Sequence, residues 1–128
     1  MIVSKPSQSI DEQIDFNIYP YKSKEDKSIA NALDSYGIPF FYKQPMLVVQ
    51  DGKKMLEYTD FFLPTYNGLA IDYIVESNSA IYRRKKNVYQ DNQIPAVFVT
   101  RKDMHKEVWQ QKLYQKLEGI YRKRSVYH

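Results

Sequence analysis

At 128 residues, with 43% hydrophobic residues and a single Trp, the chain is sized for one compact domain around one core. Nineteen Lys and Arg against fifteen Asp and Glu leave a net charge of +4, which is compatible with a polyanionic partner without requiring one. With no cysteine, disulfides, thiolate metal sites and cysteine nucleophiles are excluded, and His105 and His128 are too few and too far apart for a zinc site unless carboxylates supply the rest.

No apolar run reaches the roughly 20 residues of a membrane span, and the opening "MIVSKPSQSIDEQIDF" lacks the continuous apolar stretch of a secretory signal. The expectation is a soluble, unprocessed chain without a membrane partner, in an intracellular, cytoplasmic setting. Residues 1–21 mix Ser, Pro, Gln, Asp and Tyr without periodicity and read as an extended N-terminal arm. Residues 22–128 read as a single domain.

In chain order, "SKEDKSIANALDSYGIP" predicts a first helix. Ser23 is its N-cap, Asp26 stands three residues on, Ile29, Ala30, Leu33 and Tyr36 share one face, and Gly37 stops it. "FFYKQPMLVV" and "MLEYTDFFL" flank an Asp51-Gly52 turn, a hairpin signal, with Pro45 marking the first strand as an edge or a bulge. "PTYNG" joins the second strand to a third, "LAIDYIVES". "SAIYRRKKNVYQDN" predicts a short helix with Ile81, Tyr82, Val88 and Tyr89 inward and residues 83–86 mostly outward, and "IPAVFVT" predicts a buried strand. A capping pattern of Thr100 and Asp103 opens a long last helix striped by Met104, Val108, Leu113, Leu117 and Ile120. The fold class expected is α+β, an α/β sandwich of order α-β-β-β-α-β-α with a mixed central sheet flanked by helices. The twelve tyrosines fall mostly at apolar positions, so core packing is their expected role.

Symmetric closure of loop 64–68 pairs Leu63 with Leu69, Phe62 with Ala70 and Phe61 with Ile71, which sets Asp60 opposite Asp72. Two carboxylates directly opposed on a sheet repel, so they must share a proton or hold a cation. Hard oxygen donors on two strands suit Mg²⁺, with Mn²⁺ as a substitute, and such an ion stabilises charge on a phosphoryl oxygen. The first hairpin's register sets Lys43 opposite Asp60, adding an ammonium; the alternative is a pair of solvent-facing strand-end aspartates with Lys43 as an ordinary ion-pair partner.

These features together resemble the PD-(D/E)XK nuclease superfamily, the restriction-endonuclease-like fold. Its core has this element order, with an Asp at the second strand and an acid, a residue and a Lys on the third. "YTDFFLP" stands where "PDF" is usual, with Thr59 in place of Pro, and "LAIDYIVES" stands for the acid-bearing strand. The resemblance covers about residues 22–118, through short motifs and element order. It implies a metal-dependent DNA endonuclease, or a nuclease subunit of a repair, recombination or defence system, with Asp60 and Asp72 on the metal. In such nucleases the first helix often carries a further acid, near Asp26 here. Asp26 has a competing use as a helix-capping acid.

The lysine position of the motif is Ile74 if Asp72 is the second acid, and Asn78 if Glu76 is. A lysine displaced to another element, Lys43 or Lys86, fills the role in an active enzyme. Without one, the alternative is a catalytically inactive module that binds nucleic acid or a protein partner, and a third possibility is a purely structural domain. Register favours Asp72 over Glu76, which would stand about 13 Å along the strand from Asp60, sharing Asp72's face. Arg83, Arg84, Lys85 and Lys86 are candidates for DNA phosphates, against the alternative of a solvated helix face. Cutting both strands of a duplex favours a homodimer or a larger nucleoprotein assembly.

Overall fold

The structure, a computed structural model, describes residues 18–126. Most of the arm expected over 1–21 lies outside the described residues. Its last residue, Tyr21, packs against Tyr42 and Phe61 with ring centroids 4.8 Å and 6.5 Å apart, so this part of the chain is held to the domain.

Helix α1 (Lys24–Ser35) begins where Ser23 accepts from the Asp26 amide at 3.0 Å. Gly37 follows the helix with φ 69°, a left-handed conformation that carries no penalty without a Cβ. Strands β1 (Phe41–Gln50) and β2 (Lys53–Leu63) form the first hairpin, and a 3₁₀ turn (Pro64–Tyr66) leads to β3 (Leu69–Ile74). Helix α2 (Ala80–Asp91) crosses over to β4 (Ala96–Thr100), which lies parallel to β3; β1, β2 and β3 are mutually antiparallel neighbours. The result is an α+β fold with a four-stranded mixed sheet in the order β1-β2-β3-β4. Pro45 lies on the edge strand, where its missing N–H costs no ladder bond toward a further strand.

The central strand β3 is buried along its whole length. Leu69, Ile71 and Tyr73 join Val97 and Val99 against α1 and α4, while Ala70, Ala96 and Phe98 face Val88 and Tyr89 of α2. Helices on both faces therefore make a three-layer sandwich. No helix among the described residues is long and apolar enough to cross a membrane.

The last helix differs from the expectation. A short α3 (Arg101–Met104), closed by the Thr100 and Asp103 capping box, is separated by residues 105–108 from α4 (Trp109–Val126). The reason is phase. At about 100° per residue, Met104 and Leu113 would point to opposite sides of one continuous helix. The break resets the phase, so that Trp109, Leu113, Leu117 and Ile120 meet the core and Val108 is left exposed.

Candidate functional site

Both hairpin registers place Asp60 as the turns require. Phe61 pairs with Ile71, Phe62 with Ala70 and Leu63 with Leu69; on the other side Tyr42 pairs with Phe61 and Gln44 with Thr59. Between these last two pairs Lys43 lies opposite Asp60, but the ladder is interrupted there and Lys43 takes φ 56°, a strained value for a non-glycine residue. The strand faces change over at this point. Glu57 reaches α2 through Arg84 and Lys85, whereas Phe61 enters the core beneath α1.

The interruption directs the Asp60 amide to Asp72, whose Oδ1 accepts it at 2.9 Å, and the Tyr73 amide returns a bond to Asp60 Oδ2 at 2.9 Å. Two buried carboxylates are thus locked side by side by the amides of Asp60 and Tyr73. Three cations reach them, and a fourth holds the neighbouring Glu57. Lys22 and Lys43 reach Asp60 Oδ1 at 2.8 Å and 3.3 Å; Lys85 reaches Asp72 Oδ1 at 3.1 Å and Glu57 Oε2 at 3.3 Å; Arg84 holds Glu57 Oε1 at 2.5 Å. Lys85 also donates to the Tyr58 carbonyl at 2.6 Å, and the Tyr89 hydroxyl donates to Asp72 Oδ2.

Asp26 completes the carboxylate set. Its amide uses the Ser23 cap, but its side chain turns inward: Oδ2 accepts the Tyr42 hydroxyl at 2.6 Å, and the buried Oδ1 has no hydrogen-bond partner among the described residues. Burial, reinforced by the Asp60 charge, pushes the Asp26 carboxyl up to about 6. Burial also raises Asp72, with Lys85 acting against it and Asp60 adding to it. Glu57 lies below the ordinary carboxylate range because its bonds to Arg84 and Lys85 outweigh its burial.

The raised Asp26 value has a sign. A carboxyl titrating higher in the folded than in the unfolded chain favours folding while protonated, and that contribution is lost as pH rises from about 4 to about 6. Asp26→Asn carries no such term. Its stability relative to wild type is expected to improve between those pH values, by about 1–3 kcal/mol. Urea denaturation of both proteins at several pH values measures this, and a pH-independent difference would contradict it.

The remaining expected residues fall elsewhere. Glu76 is exposed in the turn after β3, because the strand ends at Ile74 and the chain bends there toward the Ser79 cap of α2; it does not share Asp72's face. Lys86 lies over the Tyr82 ring, 5.8 Å from its centroid, away from the carboxylates. The 83–86 run is mostly outward, as expected, with Arg83, Arg84 and Lys86 exposed and Lys85 turned in. Arg83 bonds the Asn78 carbonyl at 2.6 Å, while Arg84 and Lys85 are bound to buried acids. Lys85 points inward because Tyr82, Lys85 and Tyr89 follow one helical stripe. That spacing was the available signal. Glu57, Lys22, Tyr42 and Tyr89 also belong to the site. Tyr89 is buried and Tyr42 packs against the core, and both lend the site their hydroxyls, whereas Tyr19, Tyr36, Tyr58 and Tyr121 are exposed.

The donor chemistry suits a hard divalent cation: carboxylate oxygens without sulfur or imidazole, and an unpartnered buried oxygen on Asp26. The three aspartates do not stand as a ready cage, and no group of three or more His, Asp or Glu is arranged to hold a metal among the described residues. Ammonium groups take that position instead. Lys22 and Lys43 have side chains each 44% exposed and reach solvent, whereas the Asp60 carboxylate they hold is buried and needs a cation in their place. Comparison of the chain with family models, with curated proteins and with solved structures gave no match.

Proposed function

We propose that the chain is a metal-dependent endonuclease of the restriction-endonuclease-like, PD-(D/E)XK kind, hydrolysing DNA phosphodiester bonds in an intracellular repair, recombination or defence assembly. The observation that carries this reading is the Lys85 ammonium, 3.1 Å from Asp72 beside the interlocked Asp60. A lysine from α2 stands at the acid pair, although Ile74 occupies the motif's lysine position.

Asp60 and Asp72 would hold Mg²⁺ or Mn²⁺, with Asp26 as the third carboxylate. The ion supplies Lewis acidity toward a phosphoryl oxygen. Lys85, held by Glu57, Asp72 and the Tyr58 carbonyl, presents a fixed positive charge to the pentacoordinate phosphate, where charge develops. Tyr89 and the Asp60 amide fix the Asp72 carboxylate, and Tyr73 fixes that of Asp60. Lys22 and Lys43 exchange their bond to Asp60 for substrate phosphate. One copy presents one such site, so cutting both strands of a duplex calls for a dimer or a larger assembly.

Incubation with plasmid, single-stranded and branched DNA in Mg²⁺ or Mn²⁺ tests this. Cleavage is expected to vanish in EDTA and in Asp60→Ala. A second reading has its own observation: every oxygen of Asp60 and Asp72 is already bonded within the protein. It makes the chain an inactive nucleic-acid-binding or protein-binding module, and it predicts nucleic-acid binding that survives chelation without cleavage.

A further inference from the structure

A second cationic group lies beyond the site and is unused by the reading above. After β4, Arg101, Lys102 and His105 line a groove of about 440 Å³ with Val75, Asn78 and Glu76, its one carboxylate among the described residues. A neighbouring groove of about 380 Å³ runs from Lys22, Asp60, Asp72 and Lys85 past Ile74 and Ile81 to Val75. Val75 belongs to both, so the two form one track. Lys22, Asp60 and Lys85 also line the opening that contains Lys43 and Arg84, which extends the track at its other end.

The track has a pattern. Cations stand at both ends, at one of them paired with Asp60, Asp72 and Glu57, while the middle is apolar: Ile74 forms part of the floor, and Val75 and Ile81 lie at its surface, 50% and 59% exposed. Thr100 pairs with Ile74, so Arg101 stands about three residues beyond Asp72, roughly 10 Å along the sheet. That is the length of about three stacked nucleotides.

A duplex offers an adjoining protein surface mainly phosphate and sugar, for which an apolar middle has no use. An unpaired strand turns its bases out, and apolar side chains then cover them while cations at either end hold the backbone. We infer that this groove binds a single-stranded polynucleotide, with its backbone on Arg101 and Lys102 at one end and on Lys22 and Lys43 at the other, and its bases against Val75 and Ile81. This deepens the nuclease reading and rests on it for the position of the scissile phosphate. The cut then falls in an unpaired segment.

The test is fluorescence anisotropy of the full chain in EDTA with labelled oligo(dT), oligo(U) and a blunt duplex of equal length, across a salt series. Both single strands are expected to bind more tightly than the duplex, by about tenfold or more. Arg101→Ala/Lys102→Ala is expected to lower the salt slope for oligo(dT) by about 1.4, about 0.7 per lost phosphate contact. Ile81→Glu is expected to weaken single-strand binding with little change in the duplex. A duplex bound as tightly as oligo(dT), or an unchanged slope in the double variant, would overturn the inference. Oligo(U) well below oligo(dT) would also overturn it, because the groove as drawn holds backbone and base faces common to DNA and RNA. The nuclease reading fails by a different result, cleavage that persists in Asp60→Ala, which leaves the binding measurements intact.

Discussion

Lys85→Ala is expected to abolish most cleavage, by about 10²–10³-fold, while Lys86→Ala stays near wild type. The two residues are adjacent in the sequence and both are lysines. The Lys85 side chain is only 13% exposed and bonds Asp72, Glu57 and the Tyr58 carbonyl, whereas Lys86 lies over Tyr82. Any explanation based on overall positive charge predicts the same loss for both. Stability separates them too. Removing Lys85 leaves two buried carboxylates one cation short, at a cost of about 3 kcal/mol or more. Lys85 holds both acids down, so its loss takes Asp72 further above its unfolded value and lifts Glu57 from below its own. The penalty is therefore small only where the pH is low enough to protonate Glu57 in the wild-type fold as well as Asp72, and it grows toward neutrality. Urea titrations at acid and neutral pH check this. Equal losses at both, or equal activity losses for the two lysines, would remove Lys85 from the site.

The register was the most legible part of the site. Turn chemistry at Asp51-Gly52 and loop closure at 64–68 place Lys43 and Asp72 on either side of Asp60 because pairing in a hairpin follows from where the chain reverses. The interruption at Lys43 was legible only as the edge or bulge that Pro45 marks two residues on. Nothing in "FYKQP" announces a left-handed lysine, and it is this interruption that carries Glu57 to the α2 side. The inward lysine could have been found: Tyr82, Lys85 and Tyr89 share a stripe, but a run of four cations reads as outward until a buried acid is known to face it. Glu76 was misplaced because "LAIDYIVES" is strand-like to its end, whereas the strand yields after Ile74 to the turn that Ser79 caps. The α3–α4 break was likewise readable from the phase mismatch between Met104 and Leu113. Lys22 was not, because its contact with Asp60 spans 38 positions and rests on the course of the chain before α1.

Metal binding gives the second large effect, read without cleavage. Mn²⁺ or Mg²⁺ at about 100 times its dissociation constant is expected to stabilise the wild-type protein by about 2.7 kcal/mol, seen as a rise in Tm that saturates with concentration, and to leave Asp72→Asn unmoved. Asparagine preserves the volume and one acceptor oxygen at Asp72, so Tyr89 or the Asp60 amide keeps a partner and the variant can fold. Asp72→Ala strips both and is the poorer probe. The expected ion must also displace ammonium groups already on Asp60 Oδ1. Lys22→Ala removes one competitor and therefore tightens Mn²⁺ binding in the same titration, even though a lost ion pair alone lowers Tm. The two lysine effects have opposite signs, one on the metal-free Tm and the other on its response to metal. If wild type and Asp72→Asn respond equally to Mn²⁺, the carboxylates hold no ion. In that event the four cations are the permanent partners of the acids, and the site binds nucleic acid without cutting it.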